Sequence, residues 1–165
     1  MLMLLCLAAC TRQAPQIPSQ RKGSAPVVDS TQLALLEMNQ QLAQAADQHL
    51  AAFVLTLPES YALYEANVWG TVLEIGDTSS NAPERGQTWT LHMAVYTLDG
   101  RLLTDSEGAY CIGKNELPQA VDANIGEWYR GSRVRLYAPW YAAYGMRGTD
   151  IIPPYENIRI DLEIK

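Results

Sequence analysis

Near residue 60 the spacing of apolar side chains changes from steps of three and four to steps of two. A chain that changes period once has to combine one long helix with a body of strands. Before the change, Leu35, Met38, Leu42, Ala45, His49 and Phe53 form a single stripe, and Glu37, Gln40, Gln41, Gln44 and Asp47 lie largely off it. Asp29 and Ser30 offer capping side chains for this helix, which the pattern carries to about Leu55. The spacing predicts an amphipathic helix over 29–56 whose stripe packs on its own domain, with His49 as a packed histidine on that stripe.

From Ala66 onward the signals are those of strands. Asn67–Ile75, Gln87–Thr97, Arg101–Leu103, Gly108–Ile112, Arg133–Ala138 and Asn157–Ile164 are short, β-branched or alternating runs. Leu98-Asp99-Gly100 is a tight-turn signal. Between the strands, Asn115 to about Ile125 reads as one short helix, capped by Asn115 with Pro118 in its first turn. Strands interrupted by one short helix predict an α+β fold, an antiparallel half-barrel sheet wrapped on that helix. At 165 residues the chain has room for one such domain and an appendage.

Residues 1–9 are almost wholly apolar and uncharged, too short to span a membrane, and read as the end of a secretory signal. Leu7-Ala8-Ala9-Cys10 resembles the bacterial lipoprotein lipobox, which implies cleavage before Cys10 and lipidation of its thiol. Residues 10–28 are rich in Pro, Ser and Gln, as a flexible tether is. They carry three basic residues and no acid, which suits an anionic membrane surface and leaves nine basic against eighteen acidic residues for 29–165. The expectation is a lipid-anchored protein of the cell envelope. Thr11 brings no acidic retention signal after Cys10, which favours the outer membrane.

The acidic body repels phosphate backbones and so excludes nucleic acid as a partner. With Cys6 removed and Cys10 acylated, only Cys111 is left in the folded part. It lies in the apolar run Ala109-Tyr110-Cys111-Ile112 and reads as a small buried hydrophobe. His49 and His92 are isolated and no glycine-rich phosphate loop occurs, so neither a metal nor another cofactor is expected.

The C-terminal run Ala143-Tyr144-Gly145, Gly148, Ile151-Ile152-Pro153-Pro154 and Ile160-Asp161-Leu162-Glu163 resembles, in order and nearly in spacing, the pattern of the FKBP-type peptidyl-prolyl cis-trans isomerase domain. Arg85-Gly86-Gln87-Thr88, Leu98-Asp99-Gly100, Ile112-Gly113-Lys114 and Gly131 support it, so the resemblance covers roughly 67–165. It implies an FKBP-like fold and action on proline-containing polypeptides, as isomerase or folding chaperone. The helix and tether before it resemble lipoprotein additions common in the Bacteroidetes group. Because helical appendages occur in relatives of this family, a homodimer through the N-terminal helix is a further expectation.

The resemblance also implies the site residues. Rotation about an X–Pro amide crosses a barrier of about 18–20 kcal/mol and needs no nucleophile, only a dry cup that favours the twisted amide. Tyr144 matches the tyrosine whose hydroxyl bonds a ligand carbonyl, and Ile151 and Ile152 match apolar wall residues. The family's wall phenylalanine and neighbouring aspartate fall on Leu103 and Thr104, with Asp105 one place late. Its strand tyrosine falls on Met93, its floor tryptophan on Val121, another pocket phenylalanine on or near Gly108, and the last-strand aromatic on Ile160. Phe53, in the N-terminal helix, is the one Phe of the chain, so the lost rings have not simply moved. Trp69, Trp89 and Trp128 read as core, whereas Trp140 and Tyr141, at the start of the overhanging loop, are the candidates to replace the lost aromatic surface. The family's Val-Ile lead into the helix becomes Leu117-Pro118, and proline has no N–H to donate. These departures predict weak isomerase activity on a retained fold, or a non-catalytic binding module.

Overall fold

The computed structural model describes residues 29–165; the proposed signal, Cys10 and the tether lie outside the described residues. An antiparallel sheet of six strands forms the body: β1 (Ala62–Tyr64), β2 (Val68–Glu74), β3 (Thr88–Thr97), β4 (Leu102–Cys111), β5 (Arg133–Ala138) and β6 (Ile158–Ile164), in the order β1-β2-β5-β6-β3-β4. Helix α1 (Ser30–Val54) precedes the sheet, and the short α2 (Gln119–Asp122) lies between β4 and β5. Asp29 caps α1 by accepting the Thr31 N–H. This is the α+β arrangement expected, an open sheet with one short helix on its inner face.

Alternation along the strands builds the core. On β6, Ile158, Ile160, Leu162 and Ile164 are buried while Arg159, Asp161 and Glu163 turn to the other face. Leu91, Met93 and Val95 of β3, Val134, Leu136 and Ala138 of β5, and Ala120, Val121 and Ile125 around α2 complete one apolar cluster. Asn124, in the same region, accepts the Glu65 N–H and donates to the Glu65 and Ala120 carbonyls, tying the lead into β2 to α2. On the opposite face Leu50 and Val54 of α1, with Phe53, meet Tyr137 and Trp69, which are cross-strand partners.

Four sequence expectations are corrected. The stripe at 35, 38, 42, 45 and 49 does not seat α1: Ala46, Leu50 and Val54, one position round the helix, are buried, and Leu35, Met38, Leu42, Ala45 and His49 are exposed. The sheet meets only the C-terminal half of α1, so local residues there choose the face and the longer stripe has no vote. The second helix begins after Pro118 rather than at Asn115, which stands in a left-handed turn (φ 58°). Proline disfavours helical geometry in the residue before it, here Leu117. The two segments at 101–103 and 108–112 are one ten-residue strand, β4, whose polar middle is tolerated because it is a sheet edge facing water on one side. Cys111 is half-buried at the end of that strand.

Candidate functional site

A depression of about 280 Å³ opens on the concave side of the sheet between β4, the Leu117–Pro118 approach to α2, and the β5–β6 connection. Small-molecule sites run from about 300 Å³ upward, so this hollow suits one compact side chain. Strand β4 contributes through its pleat and a bulge. Val95 pairs with Thr104 and Tyr96 with Leu102, which leaves Leu103 as the extra residue. Leu103 and Thr104 therefore both turn inward, Leu103 into the core and Thr104 to the wall. Ser106 and Tyr110 follow at steps of two and four on the same wall, opposite Met93 of β3.

The other wall belongs to the β5–β6 connection. Its tip is a tight turn in which the Thr149 N–H donates to the Ile152 carbonyl at 2.8 Å and the Thr149 hydroxyl accepts the Ile151 and Ile152 N–H groups. Gly148 makes this possible: at φ 61°, a Cβ there would lie 2.1 Å from the Ile152 oxygen. The turn buries Ile152 at the base and leaves Ile151, 62% exposed, on the rim. Tyr144 lines the space beside them, packed on the core cluster.

The Tyr144 phenol is the chemical centre of the hollow. Burial, and secondarily the neighbouring Tyr110 phenol, push it up to about 12, so it remains a neutral O–H donor at any physiological pH. Its hydroxyl makes no hydrogen bond among the described residues and is free to donate to a ligand carbonyl. Around it stand hydroxyls (Thr104, Ser106, Tyr110, Thr149), apolar surface (Met93, Ile151, Ile152) and one carboxyl side chain, Glu116. Pro118 lines the rim where the chain turns into α2 and presents no N–H.

The hollow thus brings together Tyr144, Ile151, Ile152, Thr104, Met93 and Pro118 of the residues implied by sequence. The others stand elsewhere. Asp105 faces the opposite side of the sheet, with its carboxylate 2.6 Å from His92 Nε2, because the pleat reverses after Thr104. Val121 and Ile160 are wholly buried and give the depression no surface, and Leu103 is likewise core. Leu117 is buried and borders a different, polar hollow of about 500 Å³ shared with Glu65, Arg85 and Asp122. Trp140 and Tyr141 do not line the site: Trp140 packs edge-on against Tyr141 and Tyr155, and the Tyr141 hydroxyl donates to Asp47 of α1 and accepts from Asn67. Their aromatic surface holds α1. Of the other tryptophans, Trp128 is core, Trp69 lies under α1, and Trp89 is half-buried with the Arg130 guanidinium 4.8 Å above its ring.

Sequence reasoning missed Tyr110 and Glu116. Tyr110 lies six residues after Thr104 on one strand, so period two alone would have placed both on one face. Its ring leans over Gly108, where a Cβ would be 3.3 Å from it. Glu116 carried no local signal, since only the turn after β4 aims it at the hollow.

No protein-family model matches the chain, and no curated protein matches it either. Among solved structures, a peptidyl-prolyl cis-trans isomerase from Pseudomonas syringae pv. tomato str. DC3000 superposes with a TM-score of 0.61 at 17% identity, over 74% of this chain and 92% of that one. The fold is therefore of the peptidyl-prolyl isomerase kind, FKBP-like in its open antiparallel sheet and single short inner helix. At that identity the likeness speaks for the fold and not for the chemistry.

Proposed function

We propose that this protein is an FKBP-type peptidyl-prolyl isomerase or folding factor of reduced power, tethered to the cell envelope through a lipidated Cys10 and acting on proline-containing polypeptides. One observation carries the reading: a half-buried Tyr144 hydroxyl, unpaired among the described residues, beside an apolar turn at Ile151–Ile152, in a hollow that fits one compact side chain. A prolyl ring seated against Met93, Ile151 and Ile152 leaves water behind. The Tyr144 O–H then donates to a flanking carbonyl, holding the amide while its nitrogen loses conjugation.

The proline at 118 argues for reduced power. A backbone N–H in that place would give a second fixed donor; its loss removes about 1–3 kcal/mol, or one to two powers of ten in rate. The same observation favours the second reading, a binding module without catalysis. Proline-limited refolding of a protein substrate separates them. Under the first reading the protein accelerates refolding, Tyr144→Phe lowers that acceleration and Tyr144→Ala abolishes it. Saturable prolyl-peptide binding with no acceleration establishes the module instead. Metabolic labelling with a radioactive fatty acid tests the anchor: label in the wild type that is absent from Cys10→Ala supports it, and an unlabelled wild type removes it. Outer-membrane localisation is tested in the same cells by density separation.

We further propose that the exposed stripe of α1 pairs with a second copy of the chain. Leu35, Met38, Leu42, Ala45 and His49 keep the alternating three-four spacing of a coiled-coil seam. From Ser30 to Leu42 every side chain but Asn39 is exposed, so the seam is uncovered. Glu37 is the one charge between Thr31 and Ala46, so two acidic chains meet there without like-charge rows. Sedimentation should give a dimer that Leu35→Lys/Leu42→Lys converts to a folded monomer. A wild type monomeric at about 100 µM, ample for micromolar pairing, overturns the pairing.

A further inference from the structure

Glu116 is the one charged side chain among the described residues that line the Tyr144 hollow; its companions there are hydroxyls, aliphatic groups, Met93 and Pro118. It is exposed, and it is not a freely waving surface acid. Its Oε2 accepts the Cys111 N–H at 2.7 Å, across the turn that ends β4, which fixes the carboxylate at the mouth and leaves its second oxygen available. Among the described residues no cation neutralises it. Lys114, two residues before it, and Arg147, on the facing connection, both stand outside ion-pair distance. Residues 29–165 carry eighteen acids and nine bases, so the field of the whole body adds to that of the rim acid.

We infer that the hollow selects prolyl segments in which lysine or arginine stands next to the proline, with Glu116 as the residue that sets this preference. The proposal rests on the prolyl-binding reading of the same hollow. The ring and the Tyr144 hydroxyl supply recognition common to all prolyl peptides, and Pro118 has withdrawn one donor that would have strengthened it. The Glu116 carboxylate then discriminates by the flanking residue, attracting an ammonium or guanidinium and repelling a carboxylate. An anchored acid at a solvated rim has the geometry of a specificity element of modest size.

The test is titration, by NMR, of four short peptides that differ only beside the proline: Lys-Pro, Pro-Lys, Leu-Pro and Glu-Pro. At low salt at least one lysine peptide should bind about fivefold more tightly than Leu-Pro, and Glu-Pro more weakly still, with the spread narrowing at high salt. Glu116→Gln, whose amide oxygen still accepts the Cys111 N–H, should narrow the spread to what the acidic body alone gives, and Glu116→Lys should narrow it further or invert it. Leu-Pro binding with no charge preference, or a preference unchanged in Glu116→Gln, overturns this inference and leaves the pocket reading intact. Binding of none of the four overturns the pocket reading and this inference with it. Near-UV circular dichroism of each variant establishes that the fold is in place.

Discussion

Two tyrosines three residues apart on the β5–β6 connection have opposite fates. Tyr141 turns toward α1, where its hydroxyl donates to Asp47 and accepts from Asn67. Tyr144 turns toward the concave side, where its hydroxyl has no partner among the described residues. Both are pushed up to about 12, principally by burial, so both are neutral donors. The difference lies in whether the donor is already used. A satisfied phenol holds structure together, and an unsatisfied one at the mouth of a hollow can be satisfied only by something that arrives.

The comparison is broken most directly by deleting each hydroxyl. Tyr141→Phe removes a hydrogen bond to a carboxylate and should cost about 1–2 kcal/mol in urea unfolding, whereas Tyr144→Phe should cost less than about 0.5 kcal/mol. Equal costs would mean that Tyr144 is structural too. Next in size is Pro118→Ala, which restores a backbone N–H at the rim of the hollow and should raise prolyl-peptide affinity about two- to tenfold. No gain would mean that this N–H points away from the ligand. The smallest effect is an absence of change. Because the Tyr144 phenol keeps its proton to about 12, peptide binding should stay flat through the pH range near 10 where an ordinary phenol ionises. Stability carries the complementary sign: the folded state holds these protons more tightly than the unfolded chain, so the contribution is complete below pH 10. It should fall as pH rises from about 10 to 12. A binding midpoint near 10 would contradict the burial of Tyr144.

Much of this molecule was legible before any coordinates. The run at 157–164 read as an alternating strand and is one, and Asp29 marked the start of α1. Tyr144, Ile151 and Ile152 were found through a resemblance of pattern, and the structure brings them together. What failed did so for identifiable reasons. Asp105 was one residue from Thr104 in the chain and lies on the other face of the sheet, because a pleat separates neighbours that sequence keeps together. Trp140 and Tyr141 were read as pocket residues because they open the overhanging connection, and no local property says that α1 would claim them.

Sequence alone determined the alternation of the last strand, the tight turn at Leu98–Gly100 and the absence of an N–H at 118, because these are properties of a residue and its near neighbours. Tertiary structure decided which face of α1 is covered, which of two nearby phenols is left unpaired, and that Tyr110 and Glu116 belong to the hollow. Those outcomes depend on groups that meet across the fold, and a one-dimensional pattern does not record what lies opposite a side chain.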